Sequence, residues 1–154
     1  MLGLGAQLFQ FHHYVTLSER QRSVLRAIVD GLGPEPSRSK MLVLLDGSSQ
    51  IGNAWMFVNG DSLRHALNFL YGYAIGPVEV CRTPSMEWER FDAVSRKGTC
   101  AETAEGWTFE PGPPVQRAAA APYVPDPGRR VDRKDAIVLE IGKGGVLADG
   151  ASSQ

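Results

Sequence analysis

Apolar and polar positions are most regularly ordered between residues 41 and 82, where the pattern predicts strand, turn, strand, helix, strand. Met41, Leu42, Val43, Leu44 and Leu45 form an unbroken apolar run closed by Asp46-Gly47. The run is too short for a helix and is bounded by turn residues, so it predicts a buried strand. Residues 54–58, AWMFV, make a second strand with Trp55 and Phe57 on one side and Met56 and Val58 on the other. Asn59-Gly60-Asp61-Ser62 then supplies a turn and an N-cap, after which Leu63, Ala66, Leu67 and Leu70 recur at the spacing of one helical face. Gly72 suits the left-handed position after that helix, and Pro77 opens a strand over 78–82 in which apolar and polar residues alternate.

Outside this stretch the pattern is simpler. Leu17, Val24, Leu25, Ile28 and Leu32 form an apolar helical stripe, stopped by Gly31, Gly33, Pro34 and Pro36. Thr16-Leu17-Ser18-Glu19 matches a capping box, which marks either a second helix start or a solvent-side turn of one long helix. Before it, Leu4, Leu8, Phe11 and Val15 share a face, giving an amphipathic helix packed on the domain or the last turns of a membrane span. Residues 83–100 are polar, with Trp88 and Phe91 as isolated anchors, and predict a loop plus a short helix. Trp107 and Phe109 mark a short edge strand or hairpin arm over 106–110. Six prolines between 111 and 130 predict an extended connector, and residues 135–141, DAIVLEI, predict a last strand that joins the sheet.

These elements predict an α/β fold: a small mixed sheet of about four or five strands, with an N-terminal helix (or two helices) and one core helix packed on it. The plan divides into an N-terminal helical segment at 1–33, an α/β core at 37–110, a Pro/Ala-rich connector at 111–134, and a final strand with a frayed tail at 135–154.

Composition adds limits. The chain has 154 residues, enough for one domain that buries roughly two thirds of its unfolded surface. With 16 basic and 17 acidic residues the net charge is −1, which gives no field for steering toward nucleic acid. Charge is unevenly placed, because nothing before Glu19 is formally charged at neutral pH. That opening lacks the basic start and cleavage site of a signal peptide, and Gln7, Gln10, His12 and His13 interrupt it too often for a complete span.

Candidate chemistry is sparse. Asp46 follows a strand and precedes Gly47-Ser48-Ser49, and ligands of open α/β sheets gather outside the carboxyl ends of strands. Asp46, Ser48 and Ser49 are therefore the candidate ligand-binding residues; a simple Asp-Gly turn explains the same letters. No second carboxylate stands at position 48 and no GxSxG elbow is present. Gly142-Lys143-Gly144-Gly145 lacks the framing of a phosphate loop and predicts a turn. Adjacent His12 and His13 point ~100° apart on a helix and make no metal site alone. Cys81 and Cys100 could close as a disulfide worth ~3 kcal/mol, or stay a buried strand residue and a free thiol in a cytosolic protein. Neither a metal nor a cofactor is expected, and no catalytic set is readable.

The uncharged aromatic start LGAQLFQFHHYV, the helix QRSVLRAIVDGL, the strand and turn VLLDGSS, and the pair LRHALNFLYG and VEVC follow one another in an order with a known counterpart. Over residues 1–82 this order resembles the soluble extracytoplasmic region after the last membrane span of bacterial multi-pass glycosyltransferases that use polyprenyl-phosphate sugars. The catalytic acidic residues of such enzymes lie in loops between early spans, and nothing here corresponds to them. The resemblance thus implies a fragment without the active site, serving folding, partner contact or acceptor placement. Its partner would be the membrane or the membrane-embedded part of the same protein, at the extracytoplasmic face of a bacterial membrane. A Cys81–Cys100 disulfide would suit that compartment. The competing expectation is a free-standing cytoplasmic α/β protein that binds a phosphate or small metabolite at Asp46.

Overall fold

The structure, a computed structural model, describes residues 2–47, 50–51, 54–55, 60–82, 98–110, 129–142 and 147–148. Helix α1 runs unbroken over Leu2–Leu32. The Thr16 hydroxyl donates to the His12 carbonyl at 3.0 Å, so Thr16 lies inside a continuous helix and caps nothing. Gly33, at φ 75°, closes α1, its amide donating to the Val29 carbonyl at 3.0 Å. The Ser37 hydroxyl oxygen then accepts from the amides of Ser39 and Lys40 and turns the chain into strand β1, Met41–Asp46.

A two-stranded hairpin follows, β2 at Gln50–Ile51 and β3 at Ala54–Trp55. The strand expected over 54–58 pairs in this hairpin and does not enter the main sheet; residues 56–58 lie outside the described set. Helix α2, Gly60–Tyr71, ends on Gly72 at φ 72° as the sequence predicts. Strand β4, Val78–Arg82, lies parallel to β1 with Leu42 opposite Val78 and Leu45 opposite Cys81.

Strands β5, Gly98–Glu102, and β6, Gly106–Glu110, form an antiparallel hairpin, and β7, Arg130–Asp132, adds to its outer side. A 3-10 turn at Arg133–Asp135 leads into β8, Ala136–Ile141, which is parallel to β1 along its full length. β9, Leu147–Ala148, pairs antiparallel with the end of β8. The main sheet therefore has seven strands in the order β7-β6-β5-β4-β1-β8-β9. The mixed α/β architecture agrees with the sequence; four of the expected strands enter this sheet as β1, β4, β6 and β8, and β5, β7 and β9 are additional. β5 arises in a stretch read as polar loop, and β7 in one read as connector, because both are short and take their order from pairing with β6. The remainder of the expected connector, residues 111–128, lies outside the described residues.

β1 lies inside the sheet between β4 and β8 and is buried at every position, which explains its unbroken apolar sequence. One side of the sheet packs Leu42, Leu44, Val78, Val80 and Ile141 against Val24 and Ile28 of α1 and Leu63 and Leu67 of α2. The other side gathers Met41, Val43, Leu45, Cys81, Cys100, Trp107 and Phe109. Leu70, placed by spacing on the core face of α2, is 54% exposed; Ile75, just past the helix, fills the core instead. The Asn68 side-chain oxygen accepts from the Ile75 amide at 2.8 Å and the Arg64 guanidinium donates to the Ile75 carbonyl at 3.2 Å, which fixes that substitute in place.

Candidate functional site

The direction of α1 sets where the candidate residues lie. Its C-terminal end meets the amino edge of the parallel strands: the Tyr73 hydroxyl donates to the Pro36 carbonyl at 3.4 Å, and the Leu42 amide donates to the Pro77 carbonyl at 2.8 Å. From there the helix runs back over β8, with Leu139 packed on Gly31, toward the carboxyl edge. A 31-residue helix is ~46 Å long, whereas six strand residues span ~20 Å. The N-terminal half of α1 therefore stands clear of the sheet at its carboxyl edge.

That half is bare. Positions 7 to 12 are all exposed, and Leu17 is the first buried residue described on the helix. Leu8, Phe9, Phe11 and Tyr14 are 61%, 74%, 68% and 64% exposed. The expectation that Leu4, Leu8, Phe11 and Val15 form a face packed on the domain is overturned for Leu8, Phe11 and Val15, which are exposed on a helix longer than the sheet; the Leu4 side chain lies outside the described residues. His12 is exposed and His13 half-buried, stacked on Phe9 at a ring separation of 6.5 Å, with its Nε2 buried and not hydrogen-bonded. Among the described residues no helix is long and apolar enough to cross a membrane, and no cluster of metal-ligating side chains occurs.

Asp46 is fully buried at the carboxyl end of β1. Ser48 and Ser49, the other two candidate ligand residues, lie outside the described residues. What the sequence missed is Arg82. The β1–β4 register, continued one step past Leu45 and Cys81, sets Asp46 beside Arg82 at the ends of neighbouring parallel strands. Both belong to the side of the sheet that carries the helices, and Arg82 is only 1% exposed. Both residues take part in interactions. Glu79, also buried, lies on the opposite side and pairs with Arg129 at 3.6 Å. VEVCR alternates apolar and polar residues, yet all five positions are buried, because strands flank it on both edges and both faces are packed.

Cys81 and Cys100 are joined as a disulfide with a Cα separation of 5.6 Å. It ties β4 to β5 inside the cluster that holds Trp107 and Phe109, and both cysteines are buried. His65 is exposed and its Nδ1–H donates to the Asp61 carbonyl at 2.7 Å, a local helix contact without catalytic geometry. A cavity of about 240 Å³ opens at the β5–β6 turn, between Thr103, Trp107 and Arg130. The turn beside it is held by backbone bonds, from Thr103 N to Gly106 O at 2.7 Å and from Arg133 N to Glu105 O at 3.0 Å.

No protein-family model, characterised protein or solved structure gives a significant match to this chain.

Proposed function

We propose that this chain is a non-catalytic accessory domain that works at a membrane surface, serving folding, partner contact or acceptor placement there. The observation that carries the proposal is the exposed, uncharged half of α1, with Leu8, Phe9, Phe11 and Tyr14 all more than 60% exposed. A helix of that length without packing partners is marginal in water, and aromatic residues without nearby charge favour the boundary between acyl chains and headgroups. The buried Cys81–Cys100 disulfide supports an oxidising compartment, which agrees with the extracytoplasmic face of a bacterial membrane. A role beside a polyprenyl-phosphate-sugar glycosyltransferase extends this reading through the resemblance over residues 1–82.

The test is removal of residues 1–15. The shortened protein should keep its melting temperature, gain solubility and lose its association with membranes. A shortened protein that still pellets with membranes would refute the proposal.

A second reading is favoured by the neighbouring burial of Asp46 and Arg82 at the carboxyl ends of β1 and β4, where open α/β sheets hold ligands. Under it the protein binds a phosphate or small metabolite. A screen of such compounds should then raise the melting temperature, and Asp46→Asn should remove the shift. A screen without any stabilising compound would leave this reading unsupported.

A further inference from the structure

The two faces of the main sheet are packed by different parts of the chain. Among the described residues, none from β5, β6 or β7 belongs to the cluster between the sheet and the helices, which α1, α2, β1, β4, β8 and Ile75 build by themselves. The opposite cluster is shared: β1 supplies Met41, Val43 and Leu45, while β6 supplies Trp107 and Phe109 and β7 adds Val131. Strands β5 to β7 are tied to one another. Both outer strands pair with β6, and the Arg133 guanidinium meets Glu102 at 2.7 Å and donates to the Thr103 carbonyl at 3.2 Å. Toward the rest of the sheet the attachment is short. β5 meets β4 where Cys81 faces Gly98 and Arg82 faces Thr99, whereas β1 pairs with β8 from Met41 to Asp46. Two further ties cross this seam: the Cys81–Cys100 bond, and the Arg129–Glu79 pair, whose arginine is 36% exposed.

We infer that Cys81–Cys100 is a redox latch: oxidised, it holds the β5–β7 unit on the second face of the sheet, and reduction releases that unit while the helix-covered half stays folded. A short parallel ladder and a part-exposed ion pair hold the seam weakly. With the disulfide in place, a unit that lifts stays tethered beside its seat. Without it, every return must close the 19-residue separation between the two cysteines anew, which favours the lifted state. The reductant is a dithiol. Its thiolate attacks one sulfur, the S–S bond breaks onto the other cysteine, and its second thiol then displaces the first. The cystine gains two electrons and two protons, and the dithiol leaves as a cyclic disulfide. Both cysteines are buried, so the attack waits for the unit to lift. Release uncovers the Met41, Val43 and Leu45 side of β1 and the outer edge of β4. The latch is shut in an oxidising compartment and opens where a dithiol is kept reduced; it goes beyond the membrane-surface reading and does not rest on it.

The test is the amide NMR spectrum of the isotope-labelled full chain, recorded oxidised and then after reduction with dithiothreitol. On reduction the amides of β5, β6 and β7 should lose their native shifts and move to random-coil positions. Those of β1, β8 and residues 17–32 should keep theirs, because the cluster they form has no member in the released unit. Removing the dithiol in air should restore the oxidised spectrum. Cys81→Ala with Cys100→Ala should show the released spectrum without any reductant, which separates loss of the bond from other effects of the dithiol. A reduced chain that keeps every native shift would overturn the latch and leave the disulfide as a plain stabiliser. Loss of native shifts in β1 and β8 together with β5 to β7 would overturn it as well, since the sheet would then unfold as one unit. So would a released state that fails to return on reoxidation.

Discussion

The Tyr71 hydroxyl lies 3.0 Å from the Gly33 carbonyl and 3.2 Å from that of Val29, so the last turn of α2 caps the last turn of α1. The Val29 carbonyl already accepts from the Gly33 amide, so the phenolic O–H is a second donor there and a donor to the Gly33 carbonyl just past the helix. Tyr71→Phe removes the donor and keeps the ring, and should destabilise the protein by ~1 kcal/mol in a urea melt.

The same contact gives a pH signature. Burial first, then the neighbouring Tyr73 and Asp30, push the Tyr71 phenol above its ordinary 10.0. The neutral phenol is the form that donates, so its contribution is fully present below the unfolded value and is lost as pH rises through the raised folded one. Wild type should therefore lose stability above about pH 10 more steeply than Tyr71→Phe. Parallel slopes in alkaline melts would show that the phenol does not titrate with folding.

Reduction of Cys81–Cys100 releases a tie across 19 residues of sequence between β4 and β5. In the chain-entropy account the loss is ~3 kcal/mol. Since both sulfurs are buried, a strong reductant should act slowly on native protein and quickly once denaturant is present. Mass analysis under non-reducing conditions, with and without alkylation, reads the bond directly, and two alkylated thiols in untreated protein would contradict it.

Leu67 and Leu70 share the expected apolar face of α2 and behave oppositely. Leu67 is fully buried between sheet and helices, and Leu67→Ala should cost ~2–5 kcal/mol. Leu70 is more than half exposed, and Leu70→Ala should change stability by no more than ~0.5 kcal/mol. Equal losses at the two positions would mean that α2 is rotated about its axis.

In the projecting half of α1, Phe9→Ser with Phe11→Ser should leave the melting temperature within about a degree of wild type, since surface changes of this kind lie within ~0.5 kcal/mol. The aggregation threshold in water should rise at the same time. A clear drop in melting temperature would place these rings in the folded core.

The strand 41–46 and the helix 60–71 were legible because their patterns are local. Five successive apolar residues closed by Asp-Gly have few solutions other than a buried strand, and a helical stripe followed by Gly72 carries its own stop signal. The late strand 136–141 was legible for the same reason, and it does pair with β1. Leu70 was misplaced because a stripe gives the direction of a side chain and not the extent of the surface that covers it. Ile75, reaching in from the turn after α2, took the place that spacing had assigned to Leu70.

The candidate site divides along the same line. The sequence by itself determined that the first charged residue is Glu19, that Asp46 ends a buried strand, and that two cysteines stand close enough in the chain to be bridged. Only the tertiary structure decided that α1 outruns the sheet and leaves its uncharged half bare, that Arg82 lies beside Asp46, and that Cys81 meets Cys100 across adjacent strands. Apolar periodicity is a property of neighbours within a few residues, whereas exposure and pairing depend on which distant segments arrive. β4 shows the difference most plainly: its letters alternate, yet all five positions are buried, because strands flank it on both edges and side chains pack on both faces.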